Sequence, residues 1–226
     1  ARQLINEGFI CDYRIIAPPS SIDREKIKVG QKGEFTQKGL TEAKRESSIT
    51  GDCVASYLKY TPDQQAVVFA VDIAHAQDLA DAYRAAGVTA EMVSGKTPKQ
   101  VRKHIMDKFE RGVCRVLVNV DLFGEGFDVP AVEVVMMGRP TESFGLYLQQ
   151  FGRALRVFAG KDFGIIIDHV GNWERHGLPD ADRFWSLEQD LRGTPRGIRD
   201  PNVIPLRRCT VCFRAYEAIT STCPFC

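Results

Sequence analysis

Residues 65–93 read QAVVFAVDIAHAQDLADAYRAAGVTAEMV, and this stretch decides the fold. Residues 66–71 form an unbroken apolar run too short for a helix, which predicts a strand buried on both faces. Residues 74–86 carry helical periodicity and stop at Gly87; residues 89–93 predict a second strand. Strand, helix and strand in immediate succession make a βαβ unit, whose two strands run parallel. The pattern then repeats. A helix over 98–110, with Pro98 near its start and Gly112 just beyond its end, leads to a strand over 115–120. Further strands are predicted at 132–137 and 163–168, with a helix over 144–155 between them. Upstream, 11–17 (CDYRIIA) reads as a strand closed by Pro18 and Pro19, 20–44 as a polar stretch, and 41–59 as one helix. The expected fold class is therefore α/β, a mostly parallel sheet with helices on both faces. Ligands of such sheets bind at the carboxyl ends of strands, which directs attention to the loops after Val71, Val93, Val120 and Met137.

Composition bounds the function. The 226 residues carry 30 Lys+Arg against 29 Asp+Glu, a net charge of +1, so nucleic acid is not bound by bulk charge and any such contact needs a local patch or backbone donors. No apolar run approaches the roughly 18 residues of a membrane helix, and residues 1–10 lack the grading of a signal peptide, so a cytoplasmic, unanchored protein with no membrane partner is expected. The chain starts at Ala1 rather than Met, which is expected of a piece of something longer. Residues 192–208 hold five Arg and one Asp among three prolines and two glycines and read as a basic linker.

Four of the seven cysteines fill the last 18 residues as two CxxC pairs, Cys209/Cys212 and Cys223/Cys226. Two such knuckles can bring four thiolates around one zinc ion, and an all-sulfur set leaves no open position for water, so the Zn²⁺ is expected to be structural. A pair of disulfides is the alternative, disfavoured in a reducing compartment. Phe213, Tyr216 and Phe225 lie among the ligands; they are able to stack on bases, but a module this small needs its aromatics for its own core. Arg207 and Arg208, beside Cys209, are the better nucleic-acid candidates.

Three loops carry chemistry. The octet Gln149-Gln-Phe-Gly152-Arg153-Ala-Leu-Arg156 puts two guanidinium groups three apart on the expected helix, on one face, where they are able to grip a phosphate; Gly152 would admit a close backbone. A solvated helix face carrying two arginines is the alternative. Residues 119–130 (NVDLFGEGFDVP) follow a buried strand with a Gly-rich acidic turn, in which Asp128 is placed to accept from a ribose. Residues 93–98 (VSGKTP) run from strand to loop to helix, with Ser94, Lys96 and helix-start N–H groups suited to phosphate; Ala90 stands where a nucleotide P-loop needs Gly.

Taken in order, these features resemble the second RecA-like lobe of superfamily 2 helicases, in the DEAD/DEAH-like repair and prophage branch related to RadD-type proteins. The resemblance covers residues 65–176: VVFAVDIAHA is similar to motif IV, VSGKTPKQVR with Phe109-Glu-Arg-Gly112 to the element after it, 119–130 to motif V with Gly126 and Asp128 as its G-x-D, and 149–156 to motif VI, Q-x-x-G-R-x-x-R. It implies a RecA-like lobe over 1–191, with 1–64 leading into a motif-bearing core at 65–176, then the 192–208 linker and a four-cysteine zinc ribbon at 209–226.

The resemblance also implies roles. Arg153 and Arg156 would reach ATP bound on the N-terminal RecA-like lobe of the same chain, Gln149 would sense its γ-phosphate, and Gly126, Asp128 and Gly152 would line the nucleotide. Such arginines accelerate related phosphoryl transfers by roughly 10³ to 10⁵. Ser94, Gly95, Lys96 and Asn119 would face the backbone of single-stranded or duplex DNA. Many relatives carry Ser or Thr where this chain has Asn119 and Val120, and valine cannot bond a phosphate. No GxxxxGK[ST] and no DExx box occurs in the 226 residues, so the fragment alone is expected to hydrolyse negligible ATP, with ATP and Mg²⁺ binding in the two-lobe protein. A non-enzymatic zinc-ribbon adaptor and a duplex-translocating subunit of a restriction or remodelling machine are the rivals. Asp168, His169, Asn172 and His176 form a second polar group for which packing or interlobe hydrogen bonding is expected over catalysis.

Overall fold

The computed structural model describes residues 2–31, 33–120, 132–181 and 205–226. Its framework is a six-stranded, wholly parallel sheet: β1 (Asp12–Ile16), β2 (Ala66–Phe69), β3 (Ala90–Ser94), β4 (Val116–Val120), β5 (Val134–Met137) and β6 (Phe163–Asp168), in the spatial order β1-β6-β5-β2-β4-β3. Every residue of β2, β4 and β5 is buried, as an apolar run covered on both faces requires. Each expected strand is present, displaced by no more than two residues at an end.

The helices are α1 (Arg2–Asn6), α2 (Gln37–Arg45), α3 (Ile49–Tyr60), α4 (Ile73–Ala85), α5 (Lys99–Glu110), α6 (Phe144–Gly152) and α7 (Asn172–His176). Two differ from expectation. The single helix over 41–59 is two: α2 begins earlier, where Thr36 accepts from the N–H of Gly39, and stops where the Ser47 hydroxyl bonds the Lys44 carbonyl at 2.8 Å. Ser47 and Ser48 offer the backbone and Asp52 local hydrogen bonds that compete with a continuous helix. The helix over 144–155 ends at Gly152 and gives way to a 3₁₀ turn, Arg153–Leu155.

At the carboxyl terminus β7 (Leu206–Arg208) and β8 (Ala215–Glu217) form an antiparallel pair. Arg207 and Arg208 lie in β7, opposite Tyr216 and Ala215. A two-stranded ribbon is marginal by itself. This one leans on the edge strand β1: the Ala17 N–H donates to the Phe213 carbonyl at 2.8 Å, Ile16 bridges Arg214, and Ala215 joins the main core.

Candidate functional site

The arginine octet is held at its far end by contacts to Lys161, just ahead of the following strand, and to Cys11. Ser143 caps α6 by accepting from the Leu146 N–H at 3.3 Å, and Tyr147, Gln150 and Phe151 form its buried face. Gln149 is exposed and Arg153 and Arg156 are half-buried. Arg153 heads the 3₁₀ turn, and Arg156 has left it in an extended conformation with φ −66° and ψ 135°. Residues three apart in a 3₁₀ turn stand above one another, so Arg153 and Arg156 leave the backbone on one side, from a 3₁₀ turn and not from the α-helix expected over these residues.

Three features fix that turn. A Cβ on Gly164 would run into the Ala154 carbonyl oxygen, so β6 and the turn approach at a distance only glycine permits. The Lys161 ammonium donates to the carbonyls of Val132, Ala154 and Arg156 at 2.8, 2.7 and 2.9 Å, satisfying groups that the end of a helical turn leaves open. The Leu155 carbonyl accepts from the Cys11 N–H at 2.8 Å. Burial alone pushes the Arg153 pKa down, which marks a guanidinium partly withdrawn from water. A Cβ on Gly152 would meet nothing within 4 Å, so the space above it is open.

Gly164 and Cys11 lie at the starts of β6 and β1, so this terminus stands at the amino edge of the sheet. This is not the carboxyl edge at which parallel sheets bind ligands, because α6 runs back antiparallel to the strands and carries the arginines away from that edge. The carboxyl edge holds the other predicted group. Ser94 closes a tight turn in which its Oγ accepts from the Lys96 N–H at 3.2 Å and its carbonyl from the Thr97 N–H at 3.0 Å. Gly95 and Lys96 are exposed, whereas Ser94 and Asn119 are 4% and 1% exposed. Gly95 and Lys96 are thus the members of this predicted set whose surface is open to solvent. Gly126 and Asp128 lie outside the described residues.

The four cysteines of the tail converge, with all sulfur atoms within 4.8 Å of one another. Tetrahedral zinc with Zn–S near 2.3 Å needs sulfurs about 3.8 Å apart, and Cys209 to Cys226 and Cys212 to Cys223 are at 3.5 and 3.7 Å. The N–H groups of Cys212 and Val211 point at the Cys209 sulfur and pull its pKa down, while hydrogen bonds among the sulfurs hold the Cys226 thiol up. The alternative of two disulfides is not realised; all four are free thiols. Phe213 packs partly buried against the main core, and the Arg214 guanidinium lies 5.0 Å from the ring of the more exposed Phe225.

Comparison with known proteins places this architecture. Residues 50–158 match the family described as Helicase conserved C-terminal domain. Over that segment the chain is similar to helicase C-terminal domains. A 51.5 kDa protein of a Lactococcus phage is 34% identical over 99% of this chain and 48% of its own length. The protein named ATP-dependent helicase IRC3 in Saccharomyces cerevisiae is 28% identical over 75% of this chain and 25% of its own length. The chain thus spans about half of the phage relative and about a quarter of the yeast one. The C-terminal domain of the DEAD-box protein Dbp5 shares the fold, with a TM-score of 0.51 at 16% identity over 72% of this chain and 81% of that one. No helix among the described residues of the lobe is long and apolar enough to cross a membrane.

The second polar group of the lobe is structural in its contacts. The Asp168 carboxylate accepts from the N–H groups of Val170 (3.0 Å) and Trp173 (2.7 Å), capping α7, and burial pushes its pKa up to about 6. Asn172 and His176 bond the backbone of 139–141. Among the described residues, only the four tail cysteines gather as metal ligands. Sequence reasoning missed Arg24, Glu34, Lys161 and Gly164. A lone charge in a polar stretch, or a glycine in a strand, carries no signal until its distant partner is known.

Proposed function

We propose that this chain is the C-terminal motor lobe of an ATP-dependent DNA helicase or translocase. The observation that carries the reading is the motif VI octet, whose Arg153 and Arg156 stand half-exposed on a turn rigidly bound to β1 and β6, beside open space over Gly152. In this reading Arg153 and Arg156 donate hydrogen bonds to the γ-phosphoryl oxygens of ATP bound on an N-terminal RecA-like lobe, neutralising charge as the terminal phosphoryl group departs. Gln149 orients beside them, and Gly126, Asp128 and Gly152 line the nucleotide. Mg²⁺ would be held by the other lobe. Gly95 and Lys96, exposed at the opposite edge of the sheet, follow the DNA backbone together with Arg207 and Arg208. Separating the two edges lets nucleotide state and strand contact be read by one rigid lobe. The four cysteines hold a structural Zn²⁺ that keeps the ribbon folded against β1.

The test is Arg153→Ala in the parent protein carrying both lobes. ATPase activity should fall by roughly 10³ or more while DNA binding persists. Undiminished turnover overturns the motor reading.

A further inference from the structure

Resting on that reading, we infer that Glu34 and Arg24, from the polar stretch ahead of α2, are positioning residues for motif VI, because together they clamp the loop 139–143 from which α6 starts. The carboxylate of Glu34 is fully used. Its Oε1 accepts from the N–H groups of Phe35 (2.8 Å) and Glu142 (2.9 Å), and its Oε2 from the Thr141 hydroxyl (2.6 Å) and the Ser143 N–H (2.9 Å). A carboxylate offers about four acceptor sites, and all four are occupied by donors. Two of those donors belong to the residues at and just before the cap of α6, where negative charge also meets the positive end of the helix dipole.

Arg24 ties the same loop to the end of β6. Its guanidinium donates to the Thr141 carbonyl at 3.2 Å and pairs with Glu142 at 3.5 Å on one side. On the other it donates to the carbonyls of Val170 (3.1 Å) and Gly171 (2.6 Å) and to Asn172 Oδ1 at 3.4 Å. Asn172 in turn accepts from the Thr141 N–H at 3.0 Å and donates to the Arg139 carbonyl at 3.1 Å, and Arg175 pairs with Glu142 at 2.9 Å. The loop is thus suspended on side chains from three other parts of the chain. A helix as short as α6, nine residues, tilts with its first turn, so a loosened cap shifts Gln149 directly and, through Gly152, pulls against the anchors that set Arg153 and Arg156.

Glu34→Gln places an amide N–H₂ against two N–H or O–H donors and keeps the size of the side chain. Thr141→Val removes one donor at constant shape, and Thr141→Ser retains it. In this chain, hydrogen exchange over 142–150 should quicken by about tenfold in Glu34→Gln and Thr141→Val and stay at the wild-type rate in Thr141→Ser. In the two-lobe parent the first two variants should lower kcat about tenfold or more with KM for ATP within about twofold, since displaced arginines cost transition-state contacts and not ground-state binding. Unchanged exchange over α6 overturns the clamp. So does an unchanged kcat in Glu34→Gln beside an inactive Arg153→Ala, which leaves the motor reading standing. An active Arg153→Ala overturns the motor reading, and the catalytic meaning of the clamp goes with it.

Discussion

The two edges of the sheet present their charged groups by opposite means. At the amino edge, Arg153 and Arg156 stand on a turn supported by Lys161 and Gly164, around the start of the next strand, and by Cys11 at the start of the first. At the carboxyl edge, Gly95 and Lys96 stand on a turn closed by hydrogen bonds within residues 94–97 and by Arg102, five residues on, bonding the Thr97 carbonyl. On the proposed reading the difference has a reason: a group that meets a transition state needs its geometry over-determined, whereas a contact to a repeating phosphate backbone tolerates a local, replaceable support.

The same substitution should therefore have opposite effects at the two edges. Gly164→Ala drives a Cβ into the Ala154 carbonyl and should cost at least about 4 kcal/mol, read as a lowered urea midpoint, or prevent folding. Wild-type stability in this variant would falsify the close approach on which the arginine turn depends. Next in size is Lys161→Met, which leaves three carbonyls without their donor and should cost roughly 2 to 3 kcal/mol by the same measurement.

Acid should strike the carboxyl edge. Burial lowers the pKa of His75, just past β2, and of His169, just past β6, to about 4 each, and His75 Nδ1 accepts from the Val71 N–H at 3.2 Å, which only the neutral ring can do. The unfolded chain takes up these protons first, near pH 6.5, so the stability is complete above that pH and is lost as pH falls toward 4. Between pH 7 and pH 5 each ring should account for roughly 2 kcal/mol; His75→Gln, whose amide oxygen is able to accept the same N–H, should remove one share from the pH-dependent melting curve. The smallest effect belongs to Gly95→Ala. Its Cβ would meet nothing within 4 Å, and the variant should gain about 0.4 to 1 kcal/mol by restricting the unfolded chain. A loss there comparable to that of Gly164→Ala would erase the contrast between the edges.

Much of this was legible in order along the chain. Six strands, the four tail cysteines and the arginine octet each announce themselves by period or spacing, because the physics behind them is local: apolar runs bury, CxxC turns aim two sulfurs at one point, and three-residue spacing brings side chains near. The 41–59 helix misled because no Gly or Pro separates the helix-forming residues on either side of Ser47 and Ser48, while hydroxyl competition for the backbone broke it. The octet misled similarly: its spacing suits a helix, but the approach of Gly164 and the pull of Lys161 draw its last residues into a 3₁₀ turn and an extended exit.

Sequence alone determined that this protein is a covered parallel sheet with a cysteine-bound tail, and which side chains carry its charge, since those follow from short-range pattern. Only the tertiary structure decided that the arginines and the lysine turn occupy opposite edges, that Asn119 is shut away from solvent, and that Glu34 and Arg24 reach across to the start of α6. Those outcomes rest on contacts between residues a hundred or more positions apart, whose partners are set by how the helices return over the sheet and by nothing in the neighbouring sequence.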